Sequence, residues 1–441
     1  MFILNNNVLI GTFKFNNVLS SPLTKHIRIQ KGESSMQNPS HQAHPFSEGH
    51  PSMSRLVALL FALCSGLAVA NIYYAQPLLD SIADEFNITH SSIGIVITVT
   101  QICYALGLLL LVPLGDLLNR RKLIMIQMLL SVIALIAVGT SSSSQVLFIG
   151  MAAIGLLAVI TQTLVAFAAS LAAPSERGRI VGLVTSGIVI GILLARTIAG
   201  TLNDWIGWRS VYLFSASLTL LGIIALFLVL PKHEPKREKL TYTQLIVSVL
   251  QLYRELPILR TRGVLAMLIF TAFSILWTSM VLPLSAPPLS LSHTAIGAFG
   301  LAGAAGALAA ARAGRLADRG LGQKTTGVAL VILLLSWLPI GYVHHSVWLF
   351  VAGVIMLDLA VQAVHVTNQS LIYEVRPEAQ SRLTGAYMIF YSIGSATGSI
   401  ASTQVYAWAG WTGVCWLGAG VSAAALLFWT IDRYIHRNSD Q

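Results

Sequence analysis

Charge is what this sequence has least of. Asp, Glu, Lys and Arg make up only 10% of its 441 residues, against about a quarter in soluble globular domains. So little charge cannot coat a folded surface in water, and an ordinary soluble domain is excluded. Cysteine is scarce too. Cys64, Cys103 and Cys415 all fall inside apolar runs, which argues against structural disulfides and offers no metal-ligand spacing. Also missing are His-Glu-x-x-His, Gly-x-Ser-x-Gly, a nucleotide-cradling loop and any pair of acids within one apolar run. These absences remove the sequence signs of an intramembrane enzyme and of a self-contained ATP-driven pump. Nothing in the pattern asks for a cofactor or a metal.

What is abundant is apolar: 55% of the residues, with a mean hydropathy of +0.74. A helix of about 20 apolar residues crosses a bilayer. Runs of that length occur twelve times, at 55–76, 92–112, 122–140, 146–172, 180–200, 210–230, 263–285, 294–312, 324–342, 346–372, 383–405 and 411–431. Before them, residues 1–52 lack a continuous apolar stretch, which predicts a disordered tail and no signal peptide. Met36 or Met53 would serve equally well as a start. Residues 231–262 link the two sets of six runs. There a charged, proline-bounded segment precedes Leu245, Val249 and Leu252 at helical spacing, as in a helix on the membrane surface or a solvated linker helix.

The two sets are copies. Leu114-Gly115-Asp116 with Arg120-Arg121-Lys122 recurs as Leu316-Ala317-Asp318-Arg319 with Lys324, and Asp116 to Asp318 is 202 residues. Pro174 to Pro377 is 203 residues, and Gly207-Trp208 to Gly410-Trp411 is again 203. Three landmarks in register mean a duplicated half, 53–230 and 263–431, which is a common plan among secondary transporters. With both termini inside, 24 of the 27 Lys and Arg residues fall on the inner side, including the short tail 432–441. The net charge of +10 therefore reports topology in a cytoplasmic membrane and its lipids, not nucleic acid.

The loop from Leu114 to Arg121, and more closely Gly314-Arg315-Leu316-Ala317-Asp318-Arg319, resembles the signature of the major facilitator superfamily. The resemblance covers residues 53–431 and implies an all-α membrane protein of twelve transmembrane helices in two pseudo-symmetric six-helix halves. It also implies that Asp116, Arg120, Arg121, Asp318 and Arg319 latch the halves on the inner side. A carboxylate at a helix end favours a neighbouring helix N-terminus, and arginines favour anionic headgroups. Tyr73-Tyr74-Ala75-Gln76-Pro77-Leu78 resembles the Tyr-x-x-Pro-Leu segment of bacterial drug:proton antiporters. The fifth run matches that group in part: Gly187, Gly191, Ala195 and Gly200 are present, but Ala195-Arg196 stands for the usual Gly-Pro, and Met151 for an arginine in the fourth. Gly187 and Gly191, with Gly394 and Gly398 in the eleventh run, form small-residue ladders that predict close helix packing.

Ionisable side chains at membrane depth mark function by default. Arg196, Asp358 and His365 are the candidates, and together they are the candidates for proton coupling. Arg196 either pairs with Asp358 across the halves or snorkels toward Asp204. Asp358, Gln362, His365 and Gln369 fall at i, i+4, i+7 and i+11, within roughly 60° on one helical face. In lipid, such a stripe must face protein or water. The resemblance places it on the central cavity opposite Gln162, with Asn71, Tyr74, Gln101, Tyr104, Trp277, Tyr387 and Tyr391 as further cavity candidates. The expected function is secondary transport of a small organic compound by a monomer. The expected mode is proton-coupled export, with a proton symporter or facilitator importing a small metabolite as the alternative.

Overall fold

The computed structural model of the chain describes residues 54–172, 176–230, 241–303, 312–313, 315–376 and 380–439. The expected tail 1–52 lies outside these residues. Among them the chain is helical throughout. The elements are α1 (Arg55–Phe86), α2 (Ile95–Leu110), α3 (Arg120–Gly139), α4 (Ser144–Leu171), α5 (Arg177–Ile206), α6 (Trp208–Val229), α7 (Pro257–Ser285), α9 (Arg319–Gly341) and α10 (Val347–Val375). Between α7 and α9, α8 begins as His293–Ala298 and runs into a 3-10 turn at Phe299–Ala302. The last element, Gln380–Ser439, is broken at Gly410, whose φ of 61° no other residue type adopts easily, so residues 380–409 are α11 and 411–439 are α12. Among the described residues, helical segments thus fall within each of the twelve apolar runs.

Among the described residues, nine of these elements are long and apolar enough to cross a membrane, with α11 and α12 counted as one, while α2 is shorter. Large apolar side chains such as Leu63, Ile149, Leu228 and Leu338 are exposed along them, as lipid-facing residues must be. Most of α7 is buried, so it runs through the middle of the bundle.

The small-residue ladders set the packing. A Cβ on Gly191 would lie 2.3 Å from the Gly66 carbonyl oxygen of α1, and one on Gly394 would lie 2.1 Å from the Met267 oxygen of α7. The close pairs α1–α5 and α7–α11 are the same pair in the two copies. Between the copies the linker is helical over Tyr242–Glu255, and Thr241 and Gln244 form a reciprocal capping box. Its Val249 and Leu252 pack with Leu383 and Tyr387 of α11, so the apolar stripe faces protein.

Candidate functional site

The site starts at an interruption in α1. Pro77 has no N–H to continue the helix, and Gln76–Leu78 tightens into a 3-10 turn. The turn leaves the Gln76 side chain buried and aimed at α5, where Nε of Arg196 donates to Gln76 Oε1 at 2.8 Å. Arg196 is only 2% exposed. Its guanidinium carbon stands 3.8 Å from the ring centre of Trp277 on α7, 5.0 Å from Tyr73 and 5.6 Å from Phe273. Desolvated cation–π contacts of this kind contribute about 2 kcal/mol. Nη2 of Arg196 is buried and has no hydrogen-bond partner among the described residues.

The same indole reaches the second charge. Nε1 of Trp277 donates to Oδ1 of the buried Asp358 on α10 at 3.0 Å. Arg196 and Asp358 are thus on opposite halves and meet through Trp277. The direct pairing expected from the sequence is not made in this conformation. Pairing in another transport state is not tested by this one. The alternative, Arg196 reaching outward to Asp204, is not seen here either, since Nε of Arg196 donates to Gln76 and Asp204 accepts from the backbone N–H groups of His293 and Thr294. Glycines of α8 close the cluster, since a Cβ on Gly297 would meet the Arg196 carbonyl oxygen at 2.3 Å.

From Tyr73 an aromatic chain leads away through the bundle. The hydroxyls of Tyr73 and Tyr391 are 2.5 Å apart, and the Tyr391 ring centre lies 4.2 Å from Phe270. Phe270 packs edge-on against His365, whose Nδ1 is 3.0 Å from the Tyr387 hydroxyl. Tyr104 packs against Tyr391, with Gln162 beside its hydroxyl, and Gln101 lies beside Tyr391. Gln362 and Gln369 are half-buried on α10. Trp277, Tyr387, Tyr391, Tyr104, Gln101 and His365 therefore gather around one centre. Asn71 and Tyr74 do not. Asn71 accepts from Ser215 of α6 and Tyr74 packs edge-on against Tyr212 of the same helix, so both turn into their own half. Neighbouring residues on a helix point about 100° apart, and Tyr73 is the one that faces the centre. Gln76, Tyr73 and Phe273 are site residues that the sequence reading missed.

A second polar cluster joins the halves at the end opposite the linker. His293, which precedes the eighth apolar run, has Nε2 3.0 Å from Asp80 of α1 and Nδ1 3.0 Å from Asp204 of α5. The Asp80 carboxylate beside it holds the imidazole above the usual histidine range, against the opposing effect of burial.

The Major Facilitator Superfamily model matches residues 59–326 and again 263–440. The uncharacterized transporter YgaY of Escherichia coli O157:H7 is 45% identical over 377 residues, covering 86% of this chain and 95% of its own. The chain belongs to the Major Facilitator Superfamily. Within it, the Multidrug resistance protein MdtG of Escherichia coli O17:K52:H18 is 24% identical over 374 residues, covering 83% of this chain and 91% of that protein. Among solved structures, a bacterial homologue of the human lysosomal transporter Spinster, inward-facing and occupied, superposes with a TM-score of 0.67 at 13% identity. That alignment covers 85% of this chain and 94% of the other, and it establishes the shared fold. Membership makes this a multi-pass membrane protein carrying out secondary transport, in a family of transporters and not of enzymes.

The superfamily's signature loops take a specific form here. The side chains of Asp116 and Asp318 lie outside the described residues. Arg120 donates through Nε to the Gly115 oxygen, and Arg121 donates to the Phe227 oxygen near the end of α6. Both guanidinium groups bind backbone carbonyl oxygens, and Arg121 does so at a helix C-terminus, where the dipole favours a cation. Arg319 sits exposed in a π-helical turn, Ala317–Leu321, at the start of α9.

Proposed function

We propose that the chain is a proton-coupled exporter of a small organic compound in the bacterial cytoplasmic membrane. It works by alternating access as a monomer, with both termini in the cytoplasm. The observation that carries this reading is Asp358, a buried carboxylate one indole away from a buried guanidinium on the other half. Burial favours the neutral form of a carboxylate and a nearby guanidinium favours the charged one. Rocking the halves changes the second influence and leaves the first, so the affinity of Asp358 for a proton follows the transport state. Gln76, Tyr73 and Trp277 position the two charges, and Asp116 and Asp318, with Arg120, Arg121 and Arg319, latch the cytoplasmic ends. Export is favoured over uptake by the Tyr-x-x-Pro-Leu segment before α2 and by the likeness to a multidrug resistance protein.

Proteoliposomes test this directly. Addition of a transported compound on the cytoplasmic face should move protons in the opposite direction. Asp358→Asn should abolish gradient-driven movement and leave movement down the compound's own gradient measurable. Protons moving in the same direction as the compound would establish a symporter instead, and full coupling in the Asn variant would remove Asp358 from the mechanism.

A further inference from the structure

Along α11, contacts with the other half form a ladder. Toward the end opposite the linker, Oγ1 of Thr403 lies 3.2 Å from the Ser91 oxygen, and the Ala396 oxygen accepts from Thr98 of α2 at 3.0 Å. Between these rungs a Cβ on Gly94 would lie 2.5 Å from the Ser399 oxygen, so the two backbones touch. Five residues nearer the linker, the rung changes character. Tyr391 meets Tyr73 of α1, hydroxyl to hydroxyl at 2.5 Å, and one turn further on Tyr387 already packs with the linker helix.

This pair stands between the linker side and the charge cluster. On α7, Phe270 packs against Tyr391 and Trp277 against Arg196, and the seven residues separating them span about 10 Å. Tyr73, Tyr391, Tyr104, Phe270 and Phe273 are all buried, so a solute from the linker side cannot pass while these rings are packed. Rings slide over one another with little directional preference, whereas a hydrogen bond has a geometry to break. The shared hydroxyl bond is therefore the directional lock between α1 and α11. Breaking it in a dry site would strand a donor, but an acceptor is at hand. Gln101 of α2 lies beside Tyr391, and its Oε1 is buried with no hydrogen-bond partner among the described residues.

We propose that Tyr73 and Tyr391 form the cytoplasmic gate of the charge cluster, opened when the Tyr391 hydroxyl turns from Tyr73 to Gln101. Water entering from the opened side then meets the freed Tyr73 hydroxyl. The Tyr73 ring also faces Arg196 at 5.0 Å, so the gate and the charge cluster share a residue. A phenylalanine at either position would fill the same space and leave the door unlocked. The inference rests on the alternating access and cytoplasmic linker of the reading above, and on neither protons nor the direction of transport.

Thiol labelling from one face of the membrane tests the gate. Phe273 stands against Arg196, beyond the pair, so Phe273→Cys places a reporter there in a chain whose Cys64, Cys103 and Cys415 are replaced by alanine. The impermeant reagent 2-(trimethylammonium)ethyl methanethiosulfonate, added to inside-out vesicles, reaches that thiol only while the gate is open. Tyr391→Phe should speed labelling about threefold to tenfold, the worth of one neutral hydrogen bond. Tyr73→Phe should do the same, and the double variant should be no faster than either, because the bond is shared. Gln101→Leu, which removes the second acceptor, should slow labelling. In right-side-out vesicles none of these changes should raise the rate. Unchanged labelling in both Phe variants would overturn the gate, as would a double variant showing the product of the single effects or equal acceleration from the outer face. Labelling as fast or faster in Gln101→Leu would remove the change of partner. Because labelling needs neither gradient nor substrate, loss of proton coupling or a reversed direction of transport would sink the proposed function and leave the gate standing. Unaltered labelling in the Phe variants, with coupled export intact, would do the reverse.

Discussion

Two polar clusters bridge the halves, and they differ in how completely they are satisfied. At the end opposite the linker, both ring nitrogens of His293 meet carboxylates, and Asp204 also takes the backbone N–H groups of His293 and Thr294, the latter at 2.7 Å. Every polar atom there is used by protein. In the middle of the bundle, and among the described residues, Arg196 has one partner for Nε, aromatic faces for its charge and nothing for Nη2. The difference separates their roles. A fully bonded network holds one arrangement, whereas an under-bonded buried charge has capacity left for a ligand or for a change of partner.

The sharpest break in this comparison is a substitution at the under-bonded cluster. Asp358→Asn and Arg196→Gln should each eliminate gradient-driven transport in proteoliposomes, because each leaves the opposite charge buried alone. Exchanging the two, Arg196→Asp with Asp358→Arg, should not restore transport. Gln76 and the stacked rings are built for a guanidinium on α5, and the charges meet through an indole and not face to face. Recovery of transport in the exchanged protein would mean that a direct pair forms elsewhere in the cycle.

The next largest effect belongs to the indole. Trp277→Phe keeps a ring over Arg196 and removes the N–H that Asp358 accepts. Hydrogen bonds to charged groups contribute about 1.5–3 kcal/mol, so transport rates should fall by about tenfold or more. Trp277→Ala, which also strips the cation of its stacking partner, should do worse. Equal rates in the parent and the Phe variant would show that the indole separates the charges without linking them.

His293 offers a test of the fully bonded cluster. Its imidazole is held above the usual value of about 6.5 by Asp80. The latch is therefore complete below that value and is lost as pH rises through the raised one. Spin labels placed one on each half at this end should report a short distance at about pH 5.5 and a longer or mixed one at about pH 8.5. His293→Ala should make the distances independent of pH without abolishing substrate binding. A pH response that persists in the Ala variant would assign the switch to another group.

The contrast also explains what could be read from the sequence. The twelve helices and the duplicated plan were legible because bilayer thickness and small-residue spacing act locally along the chain. Arg196, Asp358 and Trp277 were legible because charge and a large amphipathic ring are conspicuous in an apolar run. Gln76 and Tyr73 were not. Their placement depends on how the Pro77 turn rotates α1, and a single residue's rotation sends Tyr74 into α6 in place of Tyr73 into the centre. The His293 latch was hidden for a different reason: Asp80 and Asp204 are 213 and 89 residues away from it, and no periodicity connects them.

The smallest effect should come from an ion pair at the same end that does not bridge the halves. Arg209 of α6 pairs with Glu85 of α1, and Nε1 of Trp208 donates to the same carboxylate at 2.6 Å. Both side chains are a third or more exposed, so solvent screens the pair. Pairs of this kind contribute about 0–1 kcal/mol. Glu85→Gln should shift the melting temperature slightly and leave both the pH-dependent distances and the coupling unchanged. Its value lies in that silence. If neutralising Glu85 altered the response assigned to His293, position at the end of the bundle would matter more than bridging the halves, and the distinction between the two clusters would have to be drawn elsewhere.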